Sequence, residues 1–178
     1  MRSITSIVSL AFAVMAGTVV ADTIHYPSKA NALFTLEVPD DWEQSKEKDD
    51  NGVFSYSFTG PTGAFLFIKA TDVKSKNDVE EAIANSVADT RAGLKENYKE
   101  YEYQNPVPDK DNPDIYAGAG GGINKEDGKP YGIANVFIPF GKDKLVEIYT
   151  ESQVDDKKGA DQATEIIKSV KPVTPATP

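Results

Sequence analysis

The segment Ala64–Ala70 carries apolar side chains on both faces of the strand that its pattern predicts. Leu66 and Ile68 lie on one face, and Phe65 and Phe67 lie on the other. A strand that is apolar on both sides belongs near the centre of a sheet with a covering layer on each face. The rest of the chain must therefore supply two layers that cover one sheet.

Two segments have the three- and four-residue apolar spacing of helices, so they can form such layers. The first is Asn77–Tyr98, with Asn77 as the expected N-cap and Glu80 three residues later. The second is Asp155–Val170, and Pro172 cannot continue it. We predict two main helices.

Alternating segments bounded by turn residues predict the strands. Phe34–Val38 ends at Pro39, and Trp42, the only tryptophan, follows a turn from which its ring can fold back over the core. We interpret Glu43–Asn51 as a charged connector and Asn105–Pro113 as a loop. The element order predicts an α+β fold with a central antiparallel sheet of about six to seven strands and helices on its faces. The other predicted strands are Asp22–Tyr26, Val53–Phe58, Tyr98–Tyr103, Ile115–Ile123, Tyr131–Phe140 and Leu145–Glu151.

Residues 1–21 have the pattern of a secretory signal peptide. Arg2 gives a basic start, Ile4–Val14 is an apolar run, and small residues precede a predicted cleavage between Ala21 and Asp22. The apolar run is shorter than the roughly 20 residues of a membrane span. We predict a periplasmic or secreted protein that has no stable membrane insertion after cleavage.

The remaining length fits one domain, which we place at residues 22–171, followed by a disordered Pro/Thr-rich tail at 172–178. No cysteine is present, which excludes disulfides, thiol catalysis and zinc–thiolate sites. The formal net charge is −9, from 28 acidic and 19 basic residues. An acidic chain of this kind is not expected to bind nucleic acid through its net charge.

Catalytic signals are weak in this sequence. His25 is the only histidine, it lies near the predicted mature N-terminus, and no Gly-x-Ser-x-Gly turn is present to hold a nucleophile. Gly118–Gly122 lacks the third glycine of a dinucleotide-binding loop, so we expect these glycines to allow close packing. We predict no catalytic residue and no cofactor.

Two groups of residues are candidate binding sites. Tyr98, Tyr101 and Tyr103 cluster and could line a groove for a peptide or sugar, although ordinary sheet packing is the favoured explanation. The second group is formed by three carboxylates in a proline-rich stretch, Asp109, Asp111 and Asp114. They could bind calcium, although Pro113 interrupts the usual ligand spacing.

The chain resembles the PsbP-like superfamily, including its small exported bacterial members related to DcrB. The resemblance rests on Phe34–Trp42, on the paired strands within Phe54–Ile68, on one long helix, and on the closing strand Leu145–Tyr149 with the helix that follows. It implies an α/β/α sandwich with a non-enzymatic envelope or assembly role. It transfers no catalytic residue, since the shared positions are core and turn positions.

The leading hypothesis is an exported, non-catalytic binding or assembly domain of the bacterial envelope, whose partner is an envelope protein or a small ligand. A secreted carboxylate-dependent hydrolase is the first alternative. It requires two acidic residues that converge in a pocket, at least one of them with a raised pKa. A weak calcium-binding protein is the second alternative.

Overall fold

The computed structural model describes residues 21–173, which form ten strands and two α-helices. The helices are α1 (Lys76–Asn97) and α2 (Lys157–Ser169). The strands are β1 (Ala21–Tyr26), β2 (Phe34–Pro39), β3 (Glu43–Lys48), β4 (Phe54–Thr59), β5 (Phe65–Asp72), β6 (Tyr98–Pro108), β7 (Tyr116–Asn124), β8 (Pro130–Phe140), β9 (Lys144–Gln153) and β10 (Lys171–Pro172).

Seven strands form the central sheet in the order β3-β4-β5-β9-β8-β7-β6. All its pairings within the described residues are antiparallel. The predicted α+β class, with a central antiparallel sheet and two main helices, is confirmed. A second sheet of three strands, β1-β2-β10, was not predicted from the sequence.

The small sheet and α2 cover one face of the central sheet. Strand β2 alternates as predicted, with Phe34, Leu36 and Val38 buried against Leu66 and Ile68 of β5. Burial of each such aliphatic or aromatic side chain contributes about 1.5–3 kcal/mol. This cluster is the largest part of the core, and it includes Trp42, Tyr56, Phe58, Val146, Ile148, Ala163 and Ile166.

Helix α1 covers the other face. Leu94 packs with Ile133 of β8, and nearer the helix N-terminus Val79 packs against Phe137 and Leu145. The helix follows β5 in the chain but ends beside the edge strand β6, so it crosses the sheet from its centre to its edge. The two covering layers required by the two-faced pattern of β5 are both present.

The start of α1 differs from the prediction. Ser75, not Asn77, is the N-cap: its Oγ accepts a hydrogen bond from the backbone N–H of Asp78 at 3.2 Å. Asp78 in turn accepts the N–H of Lys74 at 2.7 Å and the hydroxyl of Ser75 at 2.7 Å. This reciprocal pair satisfies donors at the start of the helix, so the N-cap lies two residues earlier than predicted and the helix begins at Lys76.

Two predicted loops are strands. Glu43–Lys48 pairs with β4 as β3 although every residue in it is exposed, because pairing with a neighbour needs no apolar pattern. Strand β6 continues to Pro108 along the edge of the sheet, where proline is tolerated. The interpretation of Glu43–Asn51 as a connector and of Asn105–Pro113 as a loop was wrong for these parts.

Ordered structure continues past the predicted end of the domain at residue 171. Pro172 lies in β10 opposite Phe34, and the N–H of Val173 donates to the Leu33 carbonyl at 3.0 Å, so ordered structure extends two residues into the predicted tail. The rest of that tail, 174–178, and the predicted signal peptide up to residue 20 lie outside the described residues. Among residues 21–173, no helix is long and apolar enough to cross a membrane.

Candidate functional site

The three tyrosines of the predicted groove do not form one exposed surface. Tyr98 and Tyr103 are buried under α1, whereas Tyr101 is 36% exposed. Ordinary sheet packing therefore accounts for the positions of Tyr98 and Tyr103. A groove formed by all three is absent from the described residues, and any ligand contact at Tyr101 stays a prediction.

Hydroxyl groups of the buried tyrosines are bound within the protein. Tyr98 donates to one oxygen of Glu151, and Tyr149 donates to the other at 2.6 Å. Burial and the adjacent carboxylate raise the pKa of both phenols well above the usual value. Tyr103 donates to Asn135 Oδ1 at 3.0 Å, and burial raises its pKa to about 12. The contacts of Tyr98 and Tyr103 join the edge strand β6 to strands β9 and β8.

The glycines of β7 explain how the tyrosines fit. Gly118, Gly120 and Gly122 lie on the face under α1, where a Cβ atom at position 120 would be 2.8 Å from Tyr103 Cα and one at position 122 would be 2.8 Å from Tyr101 Cβ. The interpretation of these glycines as close-packing positions is confirmed. What approaches them is β6 itself, and not α1 or Trp42.

A β-bulge in β6 changes the direction of its side chains. Lys99 pairs with Ile123 and Glu102 pairs with Gly121, so two residues of β6 stand opposite Gly122 alone. The first of them, Glu100, has φ = 52°, in the left-handed region that favours glycine. It is the one described non-glycine residue with a positive φ. Bulges of this kind occur beside functional sites, where they redirect a side chain.

An open trough of about 510 Å³ lies on the face of β6 and β7 that points away from α1. Neither the small sheet nor α2 covers this part of the sheet, and Ala117 and Ala119 of β7 are exposed here. The trough has an apolar floor with carboxylates along β6. Its lining residues are Glu100, Glu102, Gln104, Ala119, Gly120, Gly121, Gly122, Ile123, Pro130, Tyr131 and Val154.

A second concavity, an acidic cleft of about 320 Å³, lies between α1 and strands β5 and β9. Most of its carboxylates already have structural partners. Glu147 accepts from Ser86 and pairs with Lys69 at 3.1 Å, and Asp72 pairs with Lys144. The carboxylate of Asp78 belongs to the N-terminal cap of α1, as described above. Its other acidic lining residues are Glu81 and Asp89.

Hydrogen bonds lower the pKa of two carboxylates, Asp78 and Asp127. The hydrogen bond from the Ser75 hydroxyl lowers the pKa of Asp78. The N–H of Lys129 likewise lowers the pKa of Asp127. A general acid near neutral pH needs a pKa displaced upward.

The acidic loop and the histidine do not form sites either. Asp109 Oδ1 accepts the N–H groups of Asp111 and Asn112, both at 2.9 Å, so it closes its own turn. Within residues 21–173, no three acidic or histidine side chains are placed to hold a metal ion, so calcium binding by Asp109, Asp111 and Asp114 stays a prediction without an assembled ligand set. His25 lies on β1 opposite Thr35, and no hydrogen bond or ion pair of the described residues involves its side chain.

Sequence reasoning missed Glu100, Glu102 and the trough. The alternation of Ala117, Ala119 and Gly121 with the neighbouring glycines marks β7 as a strand of small residues, but it does not show which face stays uncovered. The positive φ at Glu100 has no signal in the residue type, because glycine or asparagine is usual there.

The fold and the open trough define a mixed α+β protein with one uncovered sheet face. Its fold is similar to that of Mog1: a mutant of the protein Mog1 superimposes with a TM-score of 0.54 at 12% identity, over 87% of this chain and 97% of that one. The Ran-binding protein Mog1p of Saccharomyces cerevisiae gives a TM-score of 0.52 at 12% identity, over 88% and 97%. At the level of the fold, the predicted sandwich of helices on an antiparallel sheet is thus confirmed as similar to Mog1, while the resemblance to the PsbP-like superfamily and to DcrB stays a prediction.

A further solved structure is LpqN, involved in cell envelope biogenesis of Mycobacterium tuberculosis, with a TM-score of 0.47 at 16% identity, over 88% of this chain and 93% of that one. No protein-family model matches the chain, and a search of curated proteins found no match.

Proposed function

We propose that this chain is an exported, non-catalytic domain that binds a protein partner in the bacterial envelope, and that the trough on β6 and β7 is its binding surface. The observation that carries the proposal is the uncovered sheet face. The middle strands of the central sheet are covered by α1 on one face and by α2 and the small sheet on the other, whereas Ala117 and Ala119 of β7 are exposed. Uncovered apolar surface next to polar residues is typical of interaction sites.

The chemistry of the described residues supports a binding role over catalysis. Three of the five carboxylates that line the acidic cleft are engaged in structural contacts, and His25 has no partner that could orient it. Nucleophilic and acid–base mechanisms need such convergent groups. Mog1p is a Ran-binding protein, which supports a binding role for a chain with this fold.

Export is supported by the pattern of the N-terminal residues. Strand β1 begins at Ala21, so a cleavage between Ala21 and Asp22 leaves the strand intact apart from its first residue. Recovery of the protein from the envelope fraction of the source cells with Asp22 as its first residue is the expected result. An intact N-terminus in that fraction, or a wholly cytoplasmic protein, contradicts this part of the proposal.

The binding role can be tested by photo-crosslinking at two matched glutamines. Gln104 lines the trough, whereas Gln44 is exposed on β3 at the opposite edge of the central sheet. A benzophenone side chain at each position, followed by irradiation of intact source cells, should give a discrete protein adduct from position 104 and none from position 44. Equal labelling from both positions, or none from either, contradicts the proposal.

A parallel assay addresses the hydrolase alternative. The purified domain is tested on chromogenic esters and glycosides, together with Glu147→Gln and Glu151→Gln. We expect no turnover above that of buffer. Turnover that either substitution abolishes would show that the domain is an enzyme.

A further inference from the structure

We infer that the trough takes an extended peptide segment that carries lysine or arginine beside apolar residues, and that Glu100 and Glu102 select its cationic side chains. The inference rests on the proposed binding function and adds the chemistry of the partner. It identifies two residues that no sequence pattern marked as functional.

The charges in the trough point to a cationic partner. Glu100 and Glu102 are its only charged lining residues, and neither has an ion pair or a hydrogen-bonding side-chain partner among residues 21–173. No lysine or arginine lines it. Two unpaired carboxylates on one surface repel each other and other anions, so the complementary ligand is positively charged.

The apolar floor of the trough points to a peptide instead of a free cation. Ile123 and Pro130 lie on it, and Val154 beside them is 67% exposed. Ala119 keeps the sheet surface low enough for another chain to approach. A bare cation gains nothing from such a floor, whereas aliphatic side chains of a peptide would bury it.

The backbone at Glu100 supports a role for its side chain. Glycine is the least costly residue at φ = 52°, and glutamate there lowers the stability of the fold. Neither carboxylate oxygen of Glu100 gains an internal contact that would offset this cost. A strained residue whose charged side chain lines an open trough fits a role in binding.

The acidic cleft under α1 is the competing site for a cationic partner. Three of its five carboxylates, those of Glu147, Asp72 and Asp78, are already bound to Lys69, Lys144 and the N-terminal cap of α1. A cationic partner at the cleft would find only Glu81 and Asp89 without such contacts, and it would meet the positive charge of Lys69, which also lines the cleft. No cation lines the trough.

The test uses three synthetic peptides of equal length in which valine alternates with lysine, glutamine or glutamate. Binding to the mature protein is measured by fluorescence anisotropy at low salt. We expect the lysine peptide to bind roughly tenfold or more tightly than the glutamate peptide, with the glutamine peptide between them, and the difference to shrink with added salt.

Substitutions in the trough then test whether the preference for the lysine peptide arises there. Glu100→Gln and Glu102→Gln should each weaken binding of the lysine peptide about two- to fivefold, as expected for exposed charge pairs. The double substitution to lysine should reverse the preference, so that the glutamate peptide binds best. The matched control is Glu47→Gln, an exposed glutamate of β3 at the opposite edge, which should change nothing.

Glu100→Gly separates a binding role from a structural one. We expect this variant to have a higher melting temperature than the wild type, because the strain is relieved, yet to bind the lysine peptide about as weakly as Glu100→Gln. A lower melting temperature, or unchanged binding, would overturn the role of Glu100.

Equal binding of the three peptides, or no binding of any, overturns the inference. It is also overturned if Glu81→Gln in the cleft weakens binding of the lysine peptide and Glu102→Gln does not. These outcomes are distinct from failure of the proposed function. An adduct from position 104 without charge preference leaves the binding role in place and removes only the cationic partner.

Discussion

The indole ring of Trp42 lies on the backbone of Gly60, so closely that a Cβ atom at position 60 would be 2.9 Å from both Cε2 and Cζ2 of the ring. Trp42 is 6% exposed, and its N–H donates to Gln162 Oε1 of α2 at 3.4 Å. The ring thereby joins the turn after β4 to the helix on the same face. The predicted return of the tryptophan over the core is confirmed, and Gly60 is the residue that makes room for it.

Gly60→Ala should therefore destabilise the protein by about 1–3 kcal/mol, because the new methyl group overlaps a fixed ring. Urea unfolding followed by Trp42 fluorescence measures the change. Gly93→Ala is the control: it lies in α1 with no atom within 4 Å of the added carbon, and it should stabilise the helix by up to about 1 kcal/mol. Equal effects of the two substitutions would contradict the assigned contact.

A second pair of glycines tests the packing of β6 on β7. Gly120→Ala should destabilise the protein by about 1–3 kcal/mol, because its Cβ would be 2.8 Å from Tyr103 Cα and overlap the Glu102 carbonyl. Gly132→Ala on the adjacent strand β8 meets nothing within 4 Å and should be neutral or slightly stabilising. Thermal unfolding compares them, and a neutral Gly120→Ala would show that β6 is free to move away.

Alkaline pH should unfold the protein through its buried phenols. The pKa of Tyr103 is raised to about 12 by burial, and those of Tyr98 and Tyr149 are raised further. The folded state thus holds these protons more tightly than the unfolded state, whose phenols have pKa values of about 10. Their contribution to stability is complete below about pH 10 and is lost as the pH rises through the folded pKa values.

The measurement is the free energy of unfolding at about pH 9 and about pH 11.5, together with phenolate absorbance. Stability should fall between the two values, and the phenolate signal of the buried tyrosines should appear only with unfolding. Tyr103→Phe should be less stable than the wild type near neutral pH, because Asn135 loses a hydrogen bond. Its free energy of unfolding should, however, fall less than that of the wild type when the pH is raised. An equal fall in the free energy of unfolding of Tyr103→Phe and the wild type would contradict the role assigned to the Tyr103 phenol.

Calcium should leave the fold unchanged. Asp109 is occupied by the N–H groups of its own turn, and no ligand set is assembled around it in the part of the chain that is described. Addition of calcium at a few millimolar, the range in which extracellular calcium modules bind, should not shift the melting temperature relative to a chelator-treated sample. A rise that Asp114→Asn abolishes would support the calcium hypothesis instead.

The two-faced pattern of β5 and the spacing of the helices were enough to predict the layers, because burial on both sides leaves a strong signal in residue type. Strand β3 has no such signal: its side chains are polar and exposed, and only pairing with β4 makes it a strand. The alternation of β2 predicts one buried face but does not show that this strand belongs to a separate small sheet.

The candidate site was harder to predict for a different reason. Tyr98 and Tyr103 have a residue type that suits both a groove and a core, and the bulge at Glu100 decides which of the β6 side chains face α1. A bulge with a glutamate in the left-handed region follows from tertiary contacts with Gly122, which no local pattern encodes.

The position of β9 has a consequence for the order in which the molecule can assemble. Strands β3 to β5 and β6 to β8 are two separate halves of the sheet, and β9, the last long strand in the chain, is inserted between them. A polypeptide that emerges from a ribosome or a translocation pore N-terminus first can therefore form two incomplete three-stranded pieces but no continuous sheet until Lys144–Gln153 has emerged. Completion of the domain is a late event, so a chaperone that keeps the nascent chain open has nearly its whole length in which to act.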